Sequence, residues 1–126
     1  MERKKILVVD DEFGFTEMVK LNLEATGYFT VIIENSGSNA FNSTLQHKPD
    51  LILLDVIMPD LEGPDVVNQL RSHDQTKDIP IVFFTATVTK EEVEAQSGYI
   101  AGHAFLAKPG TLGELLNCIE RQLAVA

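Results

Sequence analysis

The chain has 126 residues, 19 of them acidic and 10 Lys or Arg, for a formal charge of −9 at pH 7. That length suits one domain with a real core and is short for two, and the acidic balance argues against nucleic acid as a direct partner, because a phosphate backbone is bound through clustered Lys and Arg. The 44% apolar content fits a globular chain, the apolar runs are too short for a membrane span or signal peptide, and the lone Cys118 excludes an internal disulfide.

Strand-like apolar runs alternate with helical patterns along the whole chain, the mark of β-α units around a parallel sheet. The first strand is expected at Lys5 to Val9. A helix follows over Phe13 to Ala25, with Met18, Val19 and Leu23 among its apolar positions and Gly27 as a left-handed stop. Thr30 to Glu34 reads as the second strand, and the second helix lies between Ser38 and His47, ended by Pro49. Leu51 to Leu54 is the third strand. The third helix opens at Gly63-Pro64, where the fixed φ of proline suits the first helical position, and buries Val66, Val67 and Leu70. Ile81 to Phe84 is the fourth strand and Ala104 to Leu106 the fifth. The fourth and fifth helices begin with capping boxes, Thr89-x-x-Glu92 and Thr111-x-x-Glu114. The fifth places Leu112, Leu115, Leu116, Ile119 and Leu123 on one stripe that docks on the sheet, with Cys118 among them as a small core residue. The fourth has few apolar anchors and is the helix expected to move. The first, third and fourth strands are apolar at successive residues, as central parallel strands covered on both faces require.

In a doubly wound sheet, ligands bind at the carboxyl ends of the strands, beside the point where strand order reverses. The strand ends here carry Asp10-Asp11, Asp55, Thr85 and Lys108-Pro109. Each has an ordinary explanation taken alone. Asp10 could cap the following helix, Asp11 and Glu12 could favour its positive end, Asp55 could be a turn residue, Thr85 a strand-end threonine and Lys108 a solvated loop lysine. Chance does not put all of them at the ends of the correct strands. Three carboxylates held close together repel one another and raise each other's pKa unless a cation shares the site. A hard cation with oxygen ligands such as Mg²⁺ answers that need. A carboxylate beside it can accept a phosphoryl group, since aspartyl phosphate is a known covalent intermediate, with Lys108 neutralising phosphoryl oxygens and Thr85 donating to one of them.

These residues resemble the receiver domain of two-component response regulators. The resemblance covers essentially all of residues 1–126 and rests on Asp10-Asp11, "LLDVIMPDLEG" around Asp55, "FTA" with Thr85, and "AGHAFLAKP" ending in Lys108-Pro109. It implies a flavodoxin-like α/β fold, a three-layer (βα)5 sandwich with a five-stranded parallel sheet in the order 2-1-3-4-5. It implies Asp55 as phosphoacceptor, charged from the phosphohistidine of a sensor histidine kinase or a phosphotransfer protein. Asp10, Asp11, Asp55 and the backbone carbonyl of Ile57 would hold Mg²⁺, with Mn²⁺ as the alternative. Lys108 would bind Asp55 and later its phosphoryl group, and the bond before Pro109 would be cis. Thr85 and Phe105 match a switch pair that alters the face made by the fourth helix, fifth strand and fifth helix, through which an output partner or a second copy would bind. The expectation is therefore a cytoplasmic regulatory domain with no direct nucleic-acid or membrane contact, not a turnover enzyme.

The chain departs from the family pattern in places. Phe105 replaces the commonly seen Tyr, so the switch ring has no hydroxyl. Ile57 and Thr87 stand two positions after Asp55 and Thr85, and an apolar Ile57 cannot orient an attacking water, which implies slow loss of phosphate. "GHAF" replaces an acidic pair, leaving His103 as a surface residue, and Gly110 loosens the start of the fifth helix. A degenerate receiver that is never phosphorylated, a flavodoxin-like cofactor binder and an aspartyl phosphatase are the competing functions. The full acid, Thr and Lys set opposes the first. "DDEFGF" lacks the phosphate-cradling loop of the second, and "DVIMPD" lacks the D-x-D pattern of the third. Glu12 is expected to serve the helix start and the edge of the site.

Overall fold

The computed structural model describes residues 2–125. In chain order it has β1 (Lys4–Val9), α1 (Phe13–Ala25), β2 (Phe29–Glu34), a 3₁₀ turn (Gly37–Asn39), α2 (Ala40–His47), β3 (Leu51–Leu54) and α3 (Gly63–Arg71). There follow β4 (Ile81–Thr85), α4 (Lys90–Ala95), β5 (Tyr99–Ile100), β6 (His103–Ala107) and α5 (Leu112–Val125). The sheet runs β2-β1-β3-β4-β6-β5. Every pairing is parallel except β5 with β6. The five expected strands thus occur in the expected order, with β6 as the fifth, and a short antiparallel strand is added at the edge.

That added strand has a local cause. The loop between β5 and β6 is Ala101-Gly102, both with positive φ (51° and 81°), which is the backbone of a tight two-residue hairpin. Ala101 carries none of the Asn or Asp signal that marks such turns in a sequence. Upstream, α4 stops after Ala95 because Ser97 (φ 56°) takes the left-handed position, with Ser97 N–H donating to Glu94 O (3.1 Å) and Gly98 N–H to Val93 O (2.9 Å). Both bonds of the α4 capping box form, between Thr89 and Glu92, and the same pair forms between Thr111 and Glu114 ahead of α5.

Ile6, Leu7, Val8 and Val9 of β1 and all four residues of β3 are no more than 1% exposed. Each such side chain contributes roughly 1.5–3 kcal/mol by leaving water, which is what holds a strand with helices on both faces. One core lies under α1 and α5 and joins Ile6, Val8, Leu23, Phe84, Leu115 and Ile119. The other lies under α2 and α3 and joins Leu7, Val9, Leu54, Val66, Leu70 and Phe83. Cys118 is buried, as expected.

One expectation needs correction: Leu112 (41%) is exposed, because the α5 stripe is centred on Leu115 and Ile119. Met18, an apolar position of α1, is exposed as well (44%), since α1 buries Thr16, Val19 and Leu23. The second helix ends at His47, the expected bound, and Lys48 after it adopts the left-handed conformation (φ 49°) directly before Pro49. The residue before a proline is disfavoured in the right-handed helical region, which suits this stop.

Candidate functional site

Ladder hydrogen bonds that run one residue past the strands set the positions of the charged side chains. Asp10 N–H donates to Glu34 O (3.1 Å), Asp55 N–H to Val9 O (3.0 Å) and Lys108 N–H to Thr85 O (2.9 Å). Since Val9 pairs with Leu54, Asp10 and Asp55 follow side by side at the carboxyl edge. Carboxylate oxygens of Asp10, Asp11 and Asp55 lie within 4.8 Å of one another. Asp10 and Asp55 are buried and Asp11 is exposed. Gly63 permits this crowding at the other end of the loop, for a Cβ there would stand 2.5 Å from Asp55 O and 2.9 Å from the Phe83 ring.

Lys108 reaches into the cluster from the end of β6. Its Nζ lies 2.6 Å from Asp10 Oδ2, 3.4 Å from Glu12 Oε1 and 3.5 Å from Asp55 Oδ2. The resemblance pointed to Asp55 as its partner, but Asp10 is the nearer, and it is also the more deeply buried (2% against 7%) and so the one that most needs a countercharge. Burial pushes the Asp10 carboxyl up, against the lowering from Lys108 and from the Glu12 N–H, while the charge of Asp55 adds only a minor push. Desolvation, not repulsion among carboxylates, is thus the main cause at Asp10. Burial also pulls Lys108 down, but the hydrogen bond and charge of Asp10, with Asp55 and Glu12, more than reverse this and hold the ammonium above its ordinary value. Three carboxylates facing one ammonium leave two negative charges uncompensated, and all the donors are oxygens, so the residues present fit a hard divalent cation.

The other expected residues sit around this centre. Thr85, 1% exposed, has its Oγ1 3.1 Å from Thr87 Oγ1 and accepts a hydrogen bond from Thr87 N–H (3.2 Å). Phe105 is half-buried with its ring 5.0 Å from Phe83. It stands between a groove of about 870 Å³ bounded by α4 and α5 and a cavity of about 190 Å³ beside α3. The larger groove lies away from the carboxylates, so chemistry and cavity size point to different surfaces, and the chemistry locates the charged centre. The Ile57 side chain is exposed on the loop after Asp55. The Lys108–Pro109 peptide bond is cis. His103 is exposed, edge-on to Phe83 at 5.5 Å.

Glu12 occupies the N-cap position of α1 and the edge of the site, as expected; its side chain makes no capping hydrogen bond, and its carboxylate lies 3.4 Å from the Lys108 ammonium instead. Asp10 Oδ1 accepts the Glu12 N–H (2.9 Å), so Asp10 serves the helix entry and the charged centre together. Two residues escaped the sequence reading. Asn35 Nδ2 donates to Asp10 O (2.8 Å) and Thr16 Oγ1 (3.1 Å), tying β2 to the acidic turn. The Phe15 ring lies 4.3 Å from Lys108 Nζ and packs edge-on to Phe84 at 5.2 Å. Neither carries a local signal, since its partner comes from a distant part of the chain.

Known proteins resemble the chain over most of its length. The chain is 35% identical over 116 residues to the phosphate regulon transcriptional regulatory protein PhoB of Pseudomonas aeruginosa, covering 92% of this chain and 50% of PhoB, so it spans about half the length of that relative. It is 30% identical to the polar-differentiation response regulator DivK of Brucella anthropi over 125 residues, 98% of both chains. Among solved structures, the chemotaxis protein CheY4 of Vibrio cholerae has a TM-score of 0.80 at 28% identity, covering 96% of this chain and 99% of that one. The model of the response regulator receiver domain matches residues 6–120, a span that holds the charged edge from Asp10 to Lys108. The chain belongs to the response regulator receiver domain family, the regulatory signalling modules of bacterial two-component systems.

Proposed function

We propose that residues 1–126 form one receiver domain that is activated by phosphorylation of Asp55. A carboxylate oxygen of Asp55 attacks the phosphorus of a phosphohistidine on a sensor histidine kinase or phosphotransfer protein. The P–N bond breaks, and its electron pair stays with the departing imidazole. The observation that carries this reading is the position of Asp55, buried beside Asp10 with the Lys108 ammonium 3.5 Å away, where an ionised carboxylate needs no general base and its charge is countered in place.

Asp10, Asp11, Asp55 and the Ile57 carbonyl would hold Mg²⁺, or Mn²⁺, which when bound neutralises charge on the transferring phosphoryl oxygens. Lys108 turns from Asp10 toward a phosphoryl oxygen, and Thr85 leaves Thr87 to donate to another. Phe105 follows into the space freed, and the face of α4, β6 and α5 changes. The groove there bears charges of both signs, among them Lys90, Glu94, Glu114 and Arg121, which suits a protein output partner or a second copy of the chain. Among the described residues no helix is long and apolar enough to cross a membrane, and the proposed setting is the cytoplasm, without direct nucleic-acid or membrane contact. Chemistry is limited to its own phosphoryl transfer and a slow hydrolysis, slow because the apolar Ile57 side chain cannot orient water; an equal or slower rate in Ile57→Asn would sink that point.

The test of the whole reading is intact mass after incubation with Mg²⁺ and acetyl phosphate. The wild type gains one phosphoryl group and Asp55→Asn gains none; an unchanged wild type would favour a receiver-like interaction domain that is never phosphorylated.

A further inference from the structure

We propose that Phe15 is a positioning residue for Lys108, its ring face holding the ammonium at the mouth of the charged crevice; the functional half of this proposal rests on the phosphoacceptor reading above. Four groups surround Lys108 Nζ: the carboxylates of Asp10, Glu12 and Asp55, and the ring of Phe15 at 4.3 Å. The carboxylates pull the ammonium into the crevice. The ring is the one partner that attracts a cation without bearing a charge, through its electron-rich face.

That difference matters to what Lys108 has to do. While paired with Asp10 it occupies the acidic cluster; to neutralise a phosphoryl group on Asp55 it must move off that carboxylate. With a side chain only 9% exposed, it cannot compensate by turning to water. A ring beside it supplies attraction that persists through the move, because the face is broad and makes no directional hydrogen bond to break. The ring is itself fixed. Phe15 packs edge-on against Phe84 (5.2 Å) and against the core under α1 and α5, so it is a wall and not a loose side chain. Its place follows from the helix start: the α1 backbone begins at Phe13, which puts Phe15 in the first turn, next to Asp10 and the β6 end.

A purely structural Phe15 would need only its volume. The experiment therefore keeps volume and changes the electron density of the face. Mono-, di- and trifluorophenylalanine are placed at position 15, with Phe15→Tyr and Phe15→Leu alongside. Phosphorylation by acetyl phosphate is timed at saturating Mg²⁺, and the Lys108 ε-CH₂ resonances are recorded in metal-free protein, where the ring current shifts them upfield. The expected result is a stepwise fall in rate along the fluorinated series to about 3- to 10-fold at Phe15→Leu, near wild-type rate for Phe15→Tyr, and loss of the upfield shift in Phe15→Leu. Equal rates across the fluorinated series would overturn the proposal, as would the absence of an upfield shift in the wild type. If the wild type takes up no phosphoryl group, it is the phosphoacceptor reading that fails, and the placement of Lys108 by Phe15 is then decided by the resonance shift alone.

Discussion

The Lys108 ammonium and the Asp10 carboxylate form the shortest ion pair among the described residues, 2.6 Å, with side chains 9% and 2% exposed. An ion pair so far out of water depends on both members, because removing one strands the other. Lys108→Met should lower stability by about 3 kcal/mol in the presence of a chelator. Addition of Mg²⁺ should restore most of it, since a cation takes over the stranded carboxylates. Urea unfolding with chelator and with Mg²⁺ measures both numbers. A loss that Mg²⁺ does not repair would show that Lys108 is merely a packing residue.

Thr85 is engaged with Thr87 in this structure, hydroxyl to hydroxyl at 3.1 Å. That bond competes with any donation from Thr85 to a phosphoryl oxygen. Thr87→Val keeps the shape and removes the competitor, so affinity for beryllofluoride, a phosphoryl mimic, should rise about 2- to 10-fold, the worth of one net hydrogen bond. Thr87→Ser should bind as the wild type does. Fluorine NMR titration reads the affinities, and equal or weaker binding by the valine variant would exclude the competition.

Gly63 begins α3 directly against the backbone that carries Asp55. A Cβ there would lie 2.5 Å from Asp55 O and 3.0 Å from Val56 Cα, neither of which is a flexible side-chain end. Gly63→Ala should therefore cost about 1–3 kcal/mol, as overpacked sites do, and slow phosphorylation by displacing the loop. Unchanged thermal stability together with an unchanged rate would mean that α3 shifts freely, and that Asp55 is not held by it.

Asp60 ties the loop after β3 to the turn before α2 by accepting from Ser36 Oγ (2.6 Å), Ser38 N–H (3.0 Å) and Ser38 Oγ (2.8 Å). These bonds, the Ser36 hydroxyl first, hold its carboxyl well below the ordinary value of 3.8. A carboxyl depressed in the folded state favours folding above its unfolded value, and that contribution drains away as pH falls below 3.8 toward the folded value. Asp60→Asn lacks it at every pH. The stability gap between wild type and variant should thus be widest near neutrality and shrink on acidification; a gap that stays constant or widens would contradict the assignment.

The strand ends were legible because two local signals coincide there. Four consecutive apolar residues in "ILVV" and "LILL" demand burial on both faces, and the carboxylate that follows each is then forced onto the same edge of a parallel sheet. The capping boxes at Thr89 and Thr111 were legible for a similar reason, being complete within four residues. What the sequence hid is what depends on distance or on a single backbone angle. β5 is two residues long, too short for any periodicity, and its turn uses Ala101 where Asn or Asp would have announced it. The preference of Lys108 for Asp10 over Asp55 follows from relative burial, which no spacing reveals. Phe15 carries no signal of its own in the sequence, since it is the fold that brings Lys108 over its ring.

Identification of the phosphorylated residue tests the central claim most directly. The protein is incubated with Mg²⁺ and acetyl phosphate, the acyl phosphate is reduced with borohydride, which converts a phosphorylated aspartate into homoserine, and the peptides are mapped by mass spectrometry. Homoserine at position 55, dependent on Mg²⁺ and absent without phosphodonor, is the expected result. Homoserine at position 10 or 11, or none anywhere, would contradict the assignment of Asp55 as the phosphoacceptor.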